Sequence, residues 1–369
     1  MNNTASNNSA APLRSRGRFK VVSIQHDYPP TGREGQIVAA AGGVYVDADQ
    51  LPIEEGLRQC EDADAVLVRW LQVGPDLIRR FRRCKIIVRY GVGYDNVDLA
   101  AATQANVMVG HVPHYCLDEV ATHALALLLA CTRNIVPAHH RLTKGRWEAN
   151  PPEKSFRMAG RTMGLIGLGN IGQTVARKLR GWNMGLLATD PYLEPDKAAL
   201  LGVELVELDS LLRQSDFISL HVPLLPETRH LLGRLAFERM KSGVILVNTA
   251  RGPIVDEAAL LDSLEHGPVG AAGLDVFETE PLPSDSPLRS HPRLVLTDHT
   301  AWYSEESLDE LRATAAEEAV RVCTGGLPRS LANPEVLERL GRTDEWTPSY
   351  AARWQLKRLE RLRKEGLRF

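Results

Sequence analysis

The chain of 369 residues lacks paired cysteines: Cys60, Cys84, Cys116, Cys131 and Cys323 are odd in number and widely scattered. That spacing excludes a zinc site and a redox CxxC pair, so no metal is expected and reduced, buried thiols are. Long apolar runs are missing too. The longest, 124–131, is too short to span a bilayer, and residues 1–18 contain no apolar stretch of signal-peptide length and read as a disordered leader. No membrane partner and a reducing, cytoplasmic setting are the expectations. Solenoid repeats are absent as well. Net charge is nearly absent, at -2, but its distribution is uneven. Residues 1–20 and residues 341–369 each carry +4, which leaves 21–340 at about -10. An acidic body disfavours nucleic-acid binding there, and any polyanion contact belongs to the ends.

What is present is a globular composition, 44% hydrophobic and 24% charged, on a length that suits two domains. Apolar runs at 20–24, 65–69, 85–88, 162–166, 185–189, 217–220, 244–248 and 294–296 alternate with helical stretches, the signature of parallel sheets covered by helices. Residues 117–132, beginning beside Asp118 and Glu119 and nearly uniformly apolar, read as a buried helix connecting two domains. The polar stretch 133–157, with Trp147, reads as an arm. Residues 341–369 read as a basic amphipathic helix that docks on its own body or on a partner subunit.

Gly167, Leu168, Gly169, Asn170, Ile171 and Gly172 follow a strand-like run and open a helical stretch. The first glycine permits a tight turn, the second admits a pyrophosphate to the backbone, and the third allows close helix packing. Asp190 ends the next strand, where a carboxylate can accept both ribose hydroxyls and repel a 2'-phosphate. NAD is therefore expected rather than NADP.

Three further segments complete a pattern: 248–252 (Asn-Thr-Ala-Arg-Gly), 273–281 (Gly-Leu-Asp-Val-Phe-Glu-Thr-Glu-Pro) and 297–299 (Thr-Asp-His). Together with the glycine motif they resemble the D-isomer-specific 2-hydroxyacid dehydrogenases over roughly residues 20 to 335. The stretch 299–305 is most similar to the branch that includes the C-terminal binding proteins, corepressors that retain the dehydrogenase fold. The resemblance implies two doubly wound α/β domains, a Rossmann cofactor domain (113–299) inserted in a flavodoxin-like substrate domain (19–112 and 300–340).

It also implies roles that make chemical sense. Arg251 matches the arginine that grips the substrate carboxylate. His299 matches the general acid, and Glu280 the carboxylate orienting the imidazole; Glu278 competes for that role, but only Glu280 stands directly before proline. The loop from Arg89 through Val92 and Gly93 resembles the one whose amides meet the substrate, and Trp302 an aromatic pocket wall. Asp275 matches the partner of the nicotinamide carboxamide. His221, Val222 and Pro223 resemble the adenine-side loop, and Thr228, Thr249 and Ala250 complete the expected cofactor set. One departure stands out: Asp298 replaces the proline usual before the histidine. The implied activity is reversible reduction of a small 2-oxo acid to the D-2-hydroxy acid by NADH in a homodimer. The alternative is an NADH-sensing, corepressor-like interaction protein with little turnover.

Overall fold

The computed structural model describes residues 19–151, 153–347 and 357. The expected leader lies outside them, as does the expected basic helix apart from 341–347 and Lys357. By internal contacts the chain divides into two units: one ends at Val112 and resumes at Leu311, and the other includes Pro113–Glu310.

In the first unit, β1 (Lys20–Ile24), β2 (Val44–Asp47), β3 (Ala65–Val68), β4 (Ile86–Arg89) and β5 (Met108–His111) form an all-parallel sheet in the order β2-β1-β3-β4-β5, the flavodoxin-like arrangement. In the second, β6 (Thr162–Ile166), β7 (Gly185–Thr189), β8 (Glu204–Leu205), β9 (Phe217–Leu220), β10 (Val244–Asn248), β11 (Val269–Leu274) and β12 (Leu294–Leu296) run parallel in the order β12-β11-β10-β9-β6-β7-β8. This is the Rossmann order extended by one strand.

Both faces of the seven-stranded sheet are covered, which explains why its central strands read as continuous apolar runs. Along β10, Val244 and Leu246 enter one hydrophobic cluster with Leu260, Leu264 and Phe237, whereas Ile245 and Val247 enter the other. The helix Leu117–Thr132 joins that second cluster through Ala121, Ala124, Leu125 and Leu128. It approaches β11 closely: a Cβ on Gly273 would stand 2.7 Å from Leu127 Cβ.

The return to the first domain, expected at residue 300, falls at Leu311 by internal contacts. The segment 300–304 is tied to second-unit groups, with Thr300 N and Ala301 N donating to Asp275 and Ser304 Oγ donating to Glu119. No single helix among the described residues is long and apolar enough to cross a membrane. None of the five cysteines forms a disulfide, and burial pushes the Cys60, Cys131 and Cys323 thiols up to about 12.

Candidate active site

The glycine loop leaves β6 at the point where the strand order reverses, next to the end of β9. Gly167 has a φ of +93, and a Cβ there would stand 2.7 Å from the His221 carbonyl oxygen, so this turn requires glycine. Gly172 is equally constrained, since its Cβ would overlap the Gly167 carbonyl. Gly169 differs. It caps the helix Asn170–Lys178 with nothing within 4 Å of its Cβ position, leaving the helix amino terminus open to an anion. Ile171 lies in the first turn of that helix.

Asp190 stands just past β7 and accepts hydrogen bonds from Leu168 N and Tyr192 N, both at 2.9 Å, tying the glycine loop to the next turn. Half-buried His221 lies next to Gly167; desolvation of its ring lowers the pKa to about 4 and keeps it neutral, and its buried Nε2 has no partner among the described residues. Val222 packs on the sheet. Thr228 closes the following loop by donating to Pro223 O at 2.7 Å and accepting from Leu225 N. Beside Ala250, whose N–H donates to Asn248 Oδ1, the buried Thr249 hydroxyl also lacks a partner among the described residues. Two orphaned buried polar atoms and an open glycine cradle fit a dinucleotide: buried polar groups without partners are rare unless a ligand supplies them.

The geometry around His299 is more tightly determined. His299 Nδ1 lies 2.6 Å from Glu280 Oε2, and Glu280 Oε1 accepts the Phe277 N–H at 2.9 Å. Burial is the largest single influence on the Glu280 carboxyl and raises it, but the His299 bond, the His299 charge, the Phe277 amide and the Arg251 charge together outweigh it, so the net shift is downward. Glu278 turns elsewhere, to His230 and Glu257. Arg251 begins the 3-10 turn Gly252–Ile254, and the side chain of Asn248 folds this loop by donating to Arg251 O.

Asp275 organises the segment that carries His299. Its backbone oxygen accepts His299 N at 2.8 Å, and its carboxylate accepts Thr297 Oγ1 at 2.6 Å and the Thr300 and Ala301 amides at 3.0 Å each. His123 reaches the same knot, 2.9 Å from Thr297 Oγ1. Asp298 accepts from the Thr300 hydroxyl, whereas the imidazole is held by Glu280. Trp302 Nε1 donates to His299 O. Sequence reasoning did not find the anchoring by His123, Asn248 and Thr297; the signal was a polar residue within the apolar helix run, at the end of β10, or just past β12.

Arg89, Val92 and Gly93 belong to the first unit. Arg89 closes β4, Val92 O lies 2.8 Å from His111 Nδ1, and Tyr90 OH donates to the buried Glu34 carboxylate. Arg69 directly follows β3 and stacks over Tyr28 and Trp70.

Fold and site together define a two-unit α/β protein with a dinucleotide-binding unit that carries an imidazole–carboxylate pair. A sequence model of the D-isomer specific 2-hydroxyacid dehydrogenase NAD binding domain matches residues 125–301. The chain is 39% identical to D-3-phosphoglycerate dehydrogenase of Methanocaldococcus jannaschii over 311 residues, 83% of this chain and 59% of that protein. It is 37% identical to glyoxylate reductase of Korarchaeum cryptofilum over 286 residues, 76% of this chain and 86% of the relative. A glyoxylate reductase structure from Paecilomyes thermophila superposes with a TM-score of 0.77 at 28% identity, covering 85% of this chain and 98% of that one. The chain belongs to the D-isomer-specific 2-hydroxyacid dehydrogenase family. These relatives do not single out the corepressor-like branch.

Proposed function

We propose that the protein is an NAD-dependent reductase of a small 2-oxo acid, forming the D-2-hydroxy acid reversibly. The observation that carries this reading is the 2.6 Å His299–Glu280 pair within the field of Arg251. Bound NADH supplies the hydride. Arg251 holds the substrate carboxylate and polarises the carbonyl. With Nδ1–H donated to Glu280, His299 gives the proton on Nε2 to the developing alkoxide, and Glu280 stabilises the imidazolium before transfer. Arg89, Val92, Gly93 and Trp302 complete the substrate contacts. Gly167, Gly169, Asn170, Ile171 and Gly172 receive the pyrophosphate; Asp190 takes the ribose and favours NAD over NADP. His221, Val222, Pro223 and Thr228 line the adenine side, and Thr249, Ala250 and Asp275 the nicotinamide side.

We place the protein in a reducing, cytoplasmic compartment, a reading supported by five cysteines that form no disulfide. It acts as a homodimer through the arm at 133–157, whose Ile135, Leu142, Trp147 and Phe156 are exposed.

The test is NADH consumption with a panel of 2-oxo acids: glyoxylate, pyruvate, hydroxypyruvate, and branched, aromatic and phosphonate-bearing acids. At least one is expected to be reduced, and His299→Ala is expected to abolish turnover while NADH binding survives. No consumption above background with any acid would transfer the case to the NADH-sensing interaction protein.

A further inference from the structure

Two carboxylates outside the Arg251, Glu280 and His299 set join the loops that carry those residues. Glu257 opens the helix Glu257–His266, six positions after Arg251; Glu278 stands two positions before Glu280. Their bonds are reciprocal: Glu257 N donates to Glu278 Oε1 at 2.9 Å, and Glu278 N donates to Glu257 Oε1 at 2.7 Å. The remaining Glu278 oxygen lies 3.1 Å from His230 Nε2, and His230 N donates to Pro253 O at 2.8 Å, so a third segment closes on the same junction. Gly252 seals the contact, because a Cβ there would overlap the Phe277 carbonyl carbon. From Phe277 the path continues through its N–H to Glu280, and from Glu280 to His299.

We propose that Glu257 and Glu278 form a positioning clasp that fixes the Arg251 loop against the Glu280 loop and so sets the His299–Glu280 bond. Placing carboxylates together is costly. Burial and the charges of Glu278 and Glu280 push the Glu257 carboxyl up, although the Glu278 amide draws it down. What each side chain supplies is an acceptor oxygen for the other residue's backbone amide, which a neutral oxygen can also supply. The paired bonds lock two backbones in one register, and small misplacements of reacting groups cost rate steeply.

The inference rests on the proposed reductase reading, and its test separates the two. Glu257→Ala removes the acceptor for Glu278 N; Glu257→Gln retains an acceptor oxygen. With a 2-oxo acid that is turned over, Glu257→Ala is expected to lower kcat about 10- to 100-fold. The 2-oxo acid KM and NADH affinity should move by less than about threefold, and Gln should restore most of the loss. Independently of any substrate, NMR of isotope-labelled histidine reads the Nδ1 proton shared by His299 and Glu280. That signal should weaken or shift in Glu257→Ala and persist in Glu257→Gln. An unchanged His299 signal in a folded Glu257→Ala protein would overturn the clasp whether or not turnover exists, as would a kcat matching wild type. If the signal responds but no acid is reduced, the clasp stands and the reductase reading falls.

Discussion

His299 occupies the left-handed backbone region, with a φ of +58, a conformation that costs a non-glycine residue of order 1 kcal/mol or more. Four hydrogen bonds from segment 297–301 to Asp275 hold it there, and the Glu280 carboxylate then fixes the ring. The pH dependence of this pair has a definite sign. Because the folded Glu280 carboxyl lies below its ordinary 4.5, the pair stabilises the protein at pH values above 4.5 and loses that contribution as pH falls through the lowered value. The thermal midpoint of Glu280→Gln is therefore expected below that of wild type near neutral pH, with the gap closing in acid. A constant gap across a pH series would show that the carboxylate charge is not what stabilises the pair. At this scale much was legible: the proline after Glu280 separated it from Glu278, and the bond to His299 lies where that choice places it. The role of Glu278 was not legible, since its partners Glu257 and His230 are remote in sequence and meet it only through packing of three loops.

Most strands with continuously apolar residues were readable as elements, and four strands were missed. β2 carries Tyr45 and Asp47 on an edge, β5 is four residues ending in Gly110-His111 on the opposite edge, β8 has two residues, and β11 is Val-Gly-Ala-Ala-Gly-Leu, whose glycines and alanines have weak strand preference. Tertiary packing decides β11: Gly270 lies against the Gly243 backbone and Gly273 against Leu127, so larger residues would not fit between its neighbours. The same logic distinguishes two glycines that look alike in the sequence. Gly252→Ala drives a methyl into the Phe277 carbonyl, so it is expected to destabilise the protein by about 1–3 kcal/mol, read as a lower urea midpoint. Gly169→Ala meets nothing, and its φ of -71 suits alanine, so stability should hold while NADH affinity falls in a binding titration. Equal urea midpoints for the two variants would remove the packing argument, and unchanged NADH affinity in Gly169→Ala would remove the pyrophosphate role.

For the molecule as a whole, the near-zero charge conceals an acidic stretch at 21–340 that coincides with the dehydrogenase resemblance. Bulk charge therefore does not favour an anionic ligand such as the proposed 2-oxo acid, and any attraction would come from local arginines. The arm is where the molecule departs from the burial rule. Its helix, Ile135–Thr143, contains no buried residue, while Arg141 bonds both Glu153 oxygens at 2.5 Å and holds the chain folded back on itself. An arm so held keeps apolar side chains in water: Trp147 is 84% exposed and Leu142 57%. Covering them gains about 25 cal/mol per Å² of apolar area, and a second copy of the same arm offers a self-complementary cover. Wild-type protein is expected to sediment as a dimer, and Leu142→Ser combined with Trp147→Ser to shift it toward monomer with its fold intact by circular dichroism. A dimer undiminished by both substitutions would place the subunit contact away from these side chains. A monomeric wild type would leave their exposure to be explained by a different partner.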